Sequence, residues 1–589
     1  MTSLREIAAG PSAGLYSLVK IGVGWLSGCW RWLARAIFVL LPLIGVAAIT
    51  LRLYWNLARA TDLAFADEPF YLSAGTNLLY HGSLPPLQYS PLYADWYAVL
   101  LAVFRNPILA YYVQLYLVAL LTAILVYVYL RQILVPRSLA FLATTLWIAQ
   151  PAYISFPWGT GQPHPYHFAF LVFLGGAVLL HVLKLEARIS MAMAGVSCLL
   201  LAIAARPEYG LALLFFIVWE GAAFLSRPQQ SGRTSRAAYV LSACLLIGAA
   251  VLTSAMYVKG RSSVDVSPAG ADRSFAAFGQ HFSIYQVGEL HQSGELVPWA
   301  DWSMMVGRAF PRAHSVLGAA VANPKVFLRF ELHNLITAPR LVCAYLTTPP
   351  YVLLKASVLG LTMIWLLFIS SSTVSTRRRA LRATASAMGF YVIAGAATAL
   401  PGMLITPNIH YFLPLFFVLL VGAVKWVSLI LENEPATFRR AAATVTVLLA
   451  LLFASVSSPF DLGKTERKPL MAETAQIGAI LKGQNLEGAR ILQSGWGGAY
   501  AAYLPYGLCE AVDPGDRHDG EGFWAFVQRA RVNAILSDEF LRLHRPFRSD
   551  PEFDSFLRSP NGFGWTAMPV GTHGDVFYLP DRTQCALRR

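Results

Sequence analysis

The run PILAYYVQLYLVALLTAILVYVYL, from Pro107 to Leu130, decides how the rest of the chain is read. At 1.5 Å per residue a helix of this length extends about 36 Å, enough to cross the roughly 30 Å of hydrocarbon in a bilayer. Only helices and closed barrels span membranes, and barrels lack such continuous apolar runs. The same pattern recurs on both sides of it. Eleven spans are expected, over residues 36–54, 107–130, 138–155, 166–183, 189–205, 209–225, 237–258, 351–370, 383–400, 410–431 and 441–456. Composition agrees: 56% of the 589 residues are hydrophobic, 13% are charged, and the mean hydropathy is +0.51, outside the balance of a soluble domain. The segment 88–104 is also apolar, but Pro91, Asp95 and its aromatic residues suit an amphipathic helix lying at the interface.

The net charge of +14 does not read as a nucleic-acid footprint, because the basic residues sit in short clusters between apolar runs. Arg131 with Arg137, Lys184 with Arg188, Arg227 with Arg233 and Arg236, Arg377 to Arg379, and Arg439 with Arg440 all fall on one side of the threaded spans. The positive-inside rule puts that side, with residues 1–35, in the cytoplasm. Counting 88–104 as a span would reverse every later loop. The spans and their loops occupy 36–457, and the opposite, outer face receives loops 55–106 and 259–350 and everything from 458 to 589. That last segment alternates strand-like stretches at 489–493, 534–536 and 576–579 with a helix-like stretch at 524–531. The expected architecture is an α-helical polytopic membrane protein with about eleven transmembrane helices and a small extracytoplasmic α/β C-terminal domain. No cleavable signal is recognised ahead of the first span, so the N-terminal segment is expected to stay attached. Cys29, Cys198, Cys244 and Cys343 read as inert, whereas a disulfide between Cys509 and Cys585 on the outer side is open.

Nearly all the polar residues suited to chemistry share the outer face. Two adjacent carboxylates, Asp67 and Glu68, repel one another at a membrane surface and require a cation, a proton or a substrate donor. A solvated helix cap is the plain alternative. The loop continues through Tyr71 and Gly82 to Tyr89, Pro91, Leu92 and Tyr93; the second outer turn holds His164 and His167. The next turn reads Arg206-Pro207-Glu208, either a phosphate-binding cation or an arginine paired with its neighbour. His410 and Tyr411 open a late span.

An acidic pair in the first outer loop, followed by an aromatic, a glycine and a Pro-Leu-aromatic stretch on an interfacial helix, resembles the GT-C superfamily of glycosyltransferases. Its members include protein O-mannosyltransferases and lipid A aminoarabinose transferases, which take sugars from polyprenyl phosphates. The Arg-Pro-Glu turn and the segment Asn408 to Pro414 are similar to that family too. The resemblance implies that Asp67 is the general base of an inverting displacement, with Glu68 orienting the acceptor or binding a cation. It implies donor-phosphate contacts from Arg206, Lys259, Arg261 and Lys355, and substrate contacts from Tyr71, Tyr89, His164, His167, Glu208, His410 and Tyr411. Relatives often carry an acid where this chain has His164 and His167, so use of a divalent cation, Mg or Mn, stays open. The long loop adds His281, Tyr285, Glu289, His291 and Trp299, with an amphipathic stretch around 327–335 as a lid. The implied partners are a polyprenyl-phosphate sugar, a lipid, glycan or protein acceptor, and membrane lipid, at a bacterial inner (plasma) membrane with the active site outside. The competing readings are a lipid or polysaccharide transporter or flippase and a non-catalytic assembly subunit.

Overall fold

The helix expected from the Pro107 run extends over Pro107–Gln132 and is α4 in chain order. The structure is a computed structural model that describes residues 40–53, 68–85, 90–148, 165–182, 188–226, 236–262, 273–288, 298–347, 398–399, 405, 409–432, 435–456, 470–493, 500–518, 520–544, 546–570 and 575–580. Ahead of α4 come α1 (Leu40–Leu53), α2 (Glu68–His81) and α3 (Pro91–Phe104). After it come α5 (Arg137–Ile148), α6 (Pro165–Val182), α7 (Arg188–Ala205), α8 (Tyr209–Ser226) and α9 (Arg236–Ser262). The later apolar helices are α14 (Leu413–Glu432) and α15 (Ala436–Val456). Nine of the eleven expected spans thus fall on described helices, while 351–370 and all of 383–400 except Thr398 and Ala399 lie outside the described residues. By length and composition, Pro107–Gln132 and Tyr239–Met256 are the two described helices that pass as membrane spans, with seven shorter apolar helices beside them.

Helix α4 touches α3, α5 and α6 along its length. Its start is fixed by Asn106, whose Oδ1 accepts a hydrogen bond from Leu109 N at 3.0 Å, with Pro107 supplying the preset φ of a first helical residue. At its far end Lys425 of α14, nearly buried, donates from Nζ to the Ile133 carbonyl at 2.9 Å. A cation there satisfies an orphan carbonyl and meets the negative end of the helix dipole. Helix α3 has 14 residues, about 21 Å, too short to span. Both flanks of α3 turn sharply, at Ser90 (φ 58°) and Arg105 (φ 52°). It packs lengthwise on α2, where a Cβ at Gly75 would sit 2.6 Å from Tyr97 Cβ and 3.0 Å from the Ala94 carbonyl oxygen.

The region between α9 and the next expected span forms four helices: α10 (Arg273–Gly288), α11 (Pro298–Ala309), α12 (Val316–Ala322) and α13 (Pro324–Thr347). They close on an aromatic core of their own, built from Phe275, Phe278, Phe282, Tyr285, Phe310 and Phe330. Glu331, next to that core, is pushed up by burial from the usual carboxylate range to about 7. The folded state therefore keeps a proton that the unfolded chain releases near pH 4.5. Stability of this region is full in acid and falls as pH rises from about 4.5 to about 7. Glu331→Gln is expected to flatten that dependence and to protect the region at pH 8 by about 1 kcal/mol, allowing for a half-exposed carboxyl. Limited proteolysis of both proteins at pH 5 and pH 8 reads the difference.

Beyond α15, α16 (Leu470–Gly483) leads into a five-stranded sheet of order β2-β1-β3-β5-β4. The strands are β1 (Ala489–Leu492), β2 (Cys509–Val512), β3 (Ala534–Ser537), β4 (Trp565–Val570) and β5 (Asp575–Pro580). The first three are parallel, whereas β5 runs antiparallel to both β3 and β4. Side chains alternate across a strand, and here the two faces serve different cores. Ile491, Ala534 and Leu536 join the core shared with the helical bundle, while Leu492, Ile535 and Tyr578 pack under α18 (Phe523–Arg529) and α20 (Pro551–Arg558). Cys509 is a free thiol pushed up to about 12 by burial; Cys585 lies outside the described residues.

The sheet region docks on the end of the bundle that carries α2. Helix α17 (Tyr500–Tyr503) lies against α2 and α4, and Tyr506 stacks on Tyr80 with ring centroids 3.7 Å apart. The Tyr506 hydroxyl is 3.3 Å from His81 Nε2. Arg548 reaches Asp301 of α11 at 3.8 Å. The first loop, the long loop and the C-terminal region therefore meet at one end.

Candidate functional site

The site begins at Glu68, the first residue of α2, which is 2% exposed. A carboxylate so placed needs hydrogen-bond donors to offset its lost hydration. Tyr93 donates its hydroxyl to Glu68 Oε1 at 2.5 Å, Tyr97 donates to the same oxygen, and Gln114 Nε2 lies 3.3 Å from it. Gln114 also donates to the Tyr93 hydroxyl. Tyr93 and Tyr97 stand one helical turn apart, so α3 presents both phenols to one point, and Gln114 comes from the second turn of α4. Burial first, and then the Glu68 charge, push both phenols well above the usual tyrosine range. They remain protonated donors at any ordinary pH.

The second group is built on the turn between α7 and α8. Arg206 is 7% exposed; its Nε donates to Glu208 Oε2 at 3.0 Å and its Nη2 donates to Glu208 Oε1 and to the Tyr166 hydroxyl. Tyr166, in the first turn of α6, also donates to Glu208 Oε1 at 3.1 Å, and the guanidinium lies over its ring at 3.7 Å. Burial alone disfavours the Arg206 charge, yet the Glu208 carboxylate beside it raises the guanidinium well above its ordinary value. Burial likewise opposes ionisation of Glu208, and Arg206 overturns it, holding that carboxyl below the usual range. The two-pronged arrangement is the strong form of an arginine–carboxylate pair. Tyr411 closes the far side, its ring edge-on to Tyr166 at 4.6 Å.

Tyr71 joins the two groups. It is fully buried in the first turn of α2, meets Tyr93 edge to face at 5.3 Å, and is close enough to Arg206 to favour the guanidinium charge. Phe168 contacts Tyr93 at 5.4 Å from the α6 side. The structure thus brings together Glu68, Tyr71, Arg206, Glu208 and Tyr411 from the residues read in the sequence. His167 is buried in the first turn of α6. Lys259 and Arg261 lie in the last turn of α9. Asp67, Tyr89, His164 and Lys355 lie outside the described residues, as does the side chain of His410. Tyr97 and Gln114 were not anticipated, although a lone amide inside a long apolar run is itself a signal.

Gly75 sets the spacing on which this assembly depends. Gly75→Val is expected to push α2 off α3, pull Glu68 away from Tyr93 and Tyr97, and destabilise by about 1–3 kcal/mol through overpacking. A thermal melt in detergent compared with that of Gly248→Ala, whose added Cβ meets nothing within 4 Å, checks this.

Among the described residues, no group of three or more His, Cys, Asp or Glu side chains is arranged to hold a metal ion. Glu68 Oε1 accepts from two phenols and an amide, and Glu208 is engaged by Arg206 and Tyr166.

No protein-family model matches the chain, and no curated protein matches it. Solved structures do resemble it. An archaeal oligosaccharyltransferase from Archaeoglobus fulgidus, in complex with an inhibitory peptide and a dolichol-phosphate, is 13% identical, with a TM-score of 0.43 over 86% of this chain and 70% of that one. ArnT from Cupriavidus metallidurans, bound to undecaprenyl phosphate, is 12% identical, with a TM-score of 0.43 over 92% and 98%. The arabinofuranosyltransferase AftD from Mycobacteria is 12% identical, with a TM-score of 0.40 over 92% of this chain and 41% of that one.

Proposed function

We propose that the chain is a membrane glycosyltransferase that moves a sugar from a polyprenyl-phosphate donor to a lipid, glycan or protein acceptor on the outer face of the membrane. The observation that carries this reading is the packing of a buried carboxylate cluster at the start of α2 against the first turn of α6, through Tyr93 and Phe168, where Tyr166 holds a buried arginine of the α7–α8 turn. A general base beside one and a leaving-group contact at the other are what a glycosyl displacement requires.

Asp67 precedes the Glu68 anchor by one residue. In the proposed reaction its carboxylate takes the proton of the acceptor hydroxyl as that oxygen attacks the anomeric carbon. The bond from that carbon to the phosphate oxygen breaks on the opposite face, so configuration inverts and polyprenyl phosphate leaves as the anion. Glu68 acts as a positioning residue: held by Tyr93, Tyr97 and Gln114, it fixes where α2 begins and hence where Asp67 stands. Glu208 and Tyr166 hold Arg206 through Nε and Nη2, and in the proposed reaction its Nη1, which no described residue engages, meets phosphate oxygen. Tyr411 offers an aromatic face to a sugar, whereas Tyr71, fully buried against Tyr93, supports the wall of the site rather than its surface. Tyr89, His164, His167 and His410 extend the substrate surface in this reading, and Lys259, Arg261 and Lys355 add positive charge around the donor phosphate.

The test is direct. The purified chain in lipid nanodiscs, given a panel of polyprenyl-phosphate sugars with candidate acceptors, is expected to release free polyprenyl phosphate, measured by mass spectrometry. A transporter would move donors without cleaving them, so a panel recovered intact overturns the proposal. Sidedness has its own check: a reporter fused after Arg589 is expected to be active outside the cytoplasm, and cytoplasmic activity would mean that the span count is wrong by an odd number.

A further inference from the structure

Among the described residues, the four-helix region between α9 and the next expected span leaves one face without a partner. Its inner side is covered: Phe330 of α13 belongs to the aromatic core, Asn334 is buried, and Ala338 joins the core of the helical bundle. The outer side carries Leu317 and Val321 from α12 and Leu328, Leu332, Leu335 and Ile336 from α13, between 46% and 77% exposed. At 100° per residue, the four α13 positions occupy about 100° of the helix circumference, a continuous apolar stripe. Water does not favour such a face, and a soluble surface rarely shows one this concentrated.

The charges around the stripe say what covers it. Lys325, Arg329 and Arg340 are exposed; Lys325 stands at the N-terminal end of the stripe, and the two arginines border it along one flank. From Val316 to Thr347 the acidic residues amount to Glu331 alone. An apolar stripe edged by cations is the pattern of a helix that lies in a bilayer interface, its leucines among the upper acyl carbons and its lysines and arginines against anionic headgroups. Continuity supports the same occupant. The chain is expected to enter the membrane at residue 351, four residues after α13 ends, which tethers this helix at the surface.

We infer that the α12–α13 face docks on the chain's own bilayer, as an interfacial platform selective for anionic lipid. The long loop then lies in the headgroup plane beside the α2–α3 end, held there by lipid on one side and by the Arg548 contact to Asp301 on the other. This surface is independent of the glycosyltransferase reading and stands whether or not Asp67 is a base.

The experiment uses the intact protein in nanodiscs that contain an anionic phospholipid bearing a diazirine in its acyl chain, with photolysis and peptide mapping by mass spectrometry. Lipid adducts are expected on 316–340 at a yield comparable to the exposed face of α9 around Ile247 and Val251, with none on β2 around Glu510. The combined variant Lys325→Gln, Arg329→Gln and Arg340→Gln is expected to lower the 316–340 yield about tenfold while leaving α9 unchanged, since each cation near an anionic surface favours docking several-fold. A segment 316–340 as free of adducts as β2 overturns the proposal, whether water or a protein surface covers it. Unchanged labelling of the triple variant removes the anionic selectivity.

Discussion

Replacing Asp67 with asparagine is expected to lower sugar transfer by about 10²- to 10⁴-fold, the usual contribution of a positioned general base. The amide is nearly the same size and cannot take a proton from the acceptor hydroxyl. Alanine should behave alike. The pH profile separates this role from mere structure: the wild-type rate falls as pH drops and the carboxylate becomes protonated, and the asparagine variant keeps its residual rate without that acid limb. Glu68→Gln provides the contrast. It removes the charge that Tyr93 and Tyr97 donate to and is expected to cost about 1–3 kcal/mol of stability, since two buried phenols lose their charged acceptor. Its surviving activity should still show the acid limb. Full activity of Asp67→Asn at every pH would sink the assignment of the base.

The second large effect belongs to Arg206. Arg206→Ala leaves the buried Glu208 carboxylate without its cation, and breaking a buried pair from one side costs about 3–5 kcal/mol. Transfer should also be lost, but an unstable enzyme would lose it for trivial reasons. The paired change Arg206→Met with Glu208→Leu removes both charges and fills the space with apolar atoms, which should restore the melting temperature. The doubly changed protein is then expected to be stable and inactive, its loss appearing as weakened donor binding. Wild-type transfer by that protein would end the proposed phosphate contact. Because Glu208 is held below the usual carboxylate range, the pair's stabilisation is complete above that range and fades as pH falls through the depressed value. The double variant should lose that acid sensitivity.

The parts of this assembly that were legible in the sequence are those whose partners are close in the chain or whose pattern is periodic. Arg206 and Glu208 are two residues apart, so the chain alone suggests their pairing. The helices α4 and α6 to α9 follow directly from apolar length. By contrast, Tyr97 and Gln114 acquire their role only when α3 folds back on α2 and crosses α4, bringing them to a carboxylate 29 and 46 residues away. In the linear chain Gln114 is a polar blemish in the very run that identifies the fold. In the C-terminal region β1, β3 and β5 coincide with strand-like stretches, whereas β2 and β4 were not expected. Those two are the sheet edges, where Glu510 and Ala511 are exposed and Pro569 interrupts the pattern. Edge strands need less apolar side chain and tolerate proline, so they leave a weaker trace.

The stack of Tyr506 on Tyr80 has a consequence for how the protein is made. Helix α2 is secured at its start by Glu68 and at its end by a side chain more than four hundred residues later. Synthesis runs from the N-terminus, so the Asp67 loop is among the first segments to leave the ribosome, yet its helix is clamped only after the sheet region has emerged and folded. A nascent chain arrested before Tyr506 would carry Asp67, Glu68, Tyr93, Tyr97, Gln114 and Arg206 and still lack that clamp. Completion of the site would then be coupled to completion of the chain.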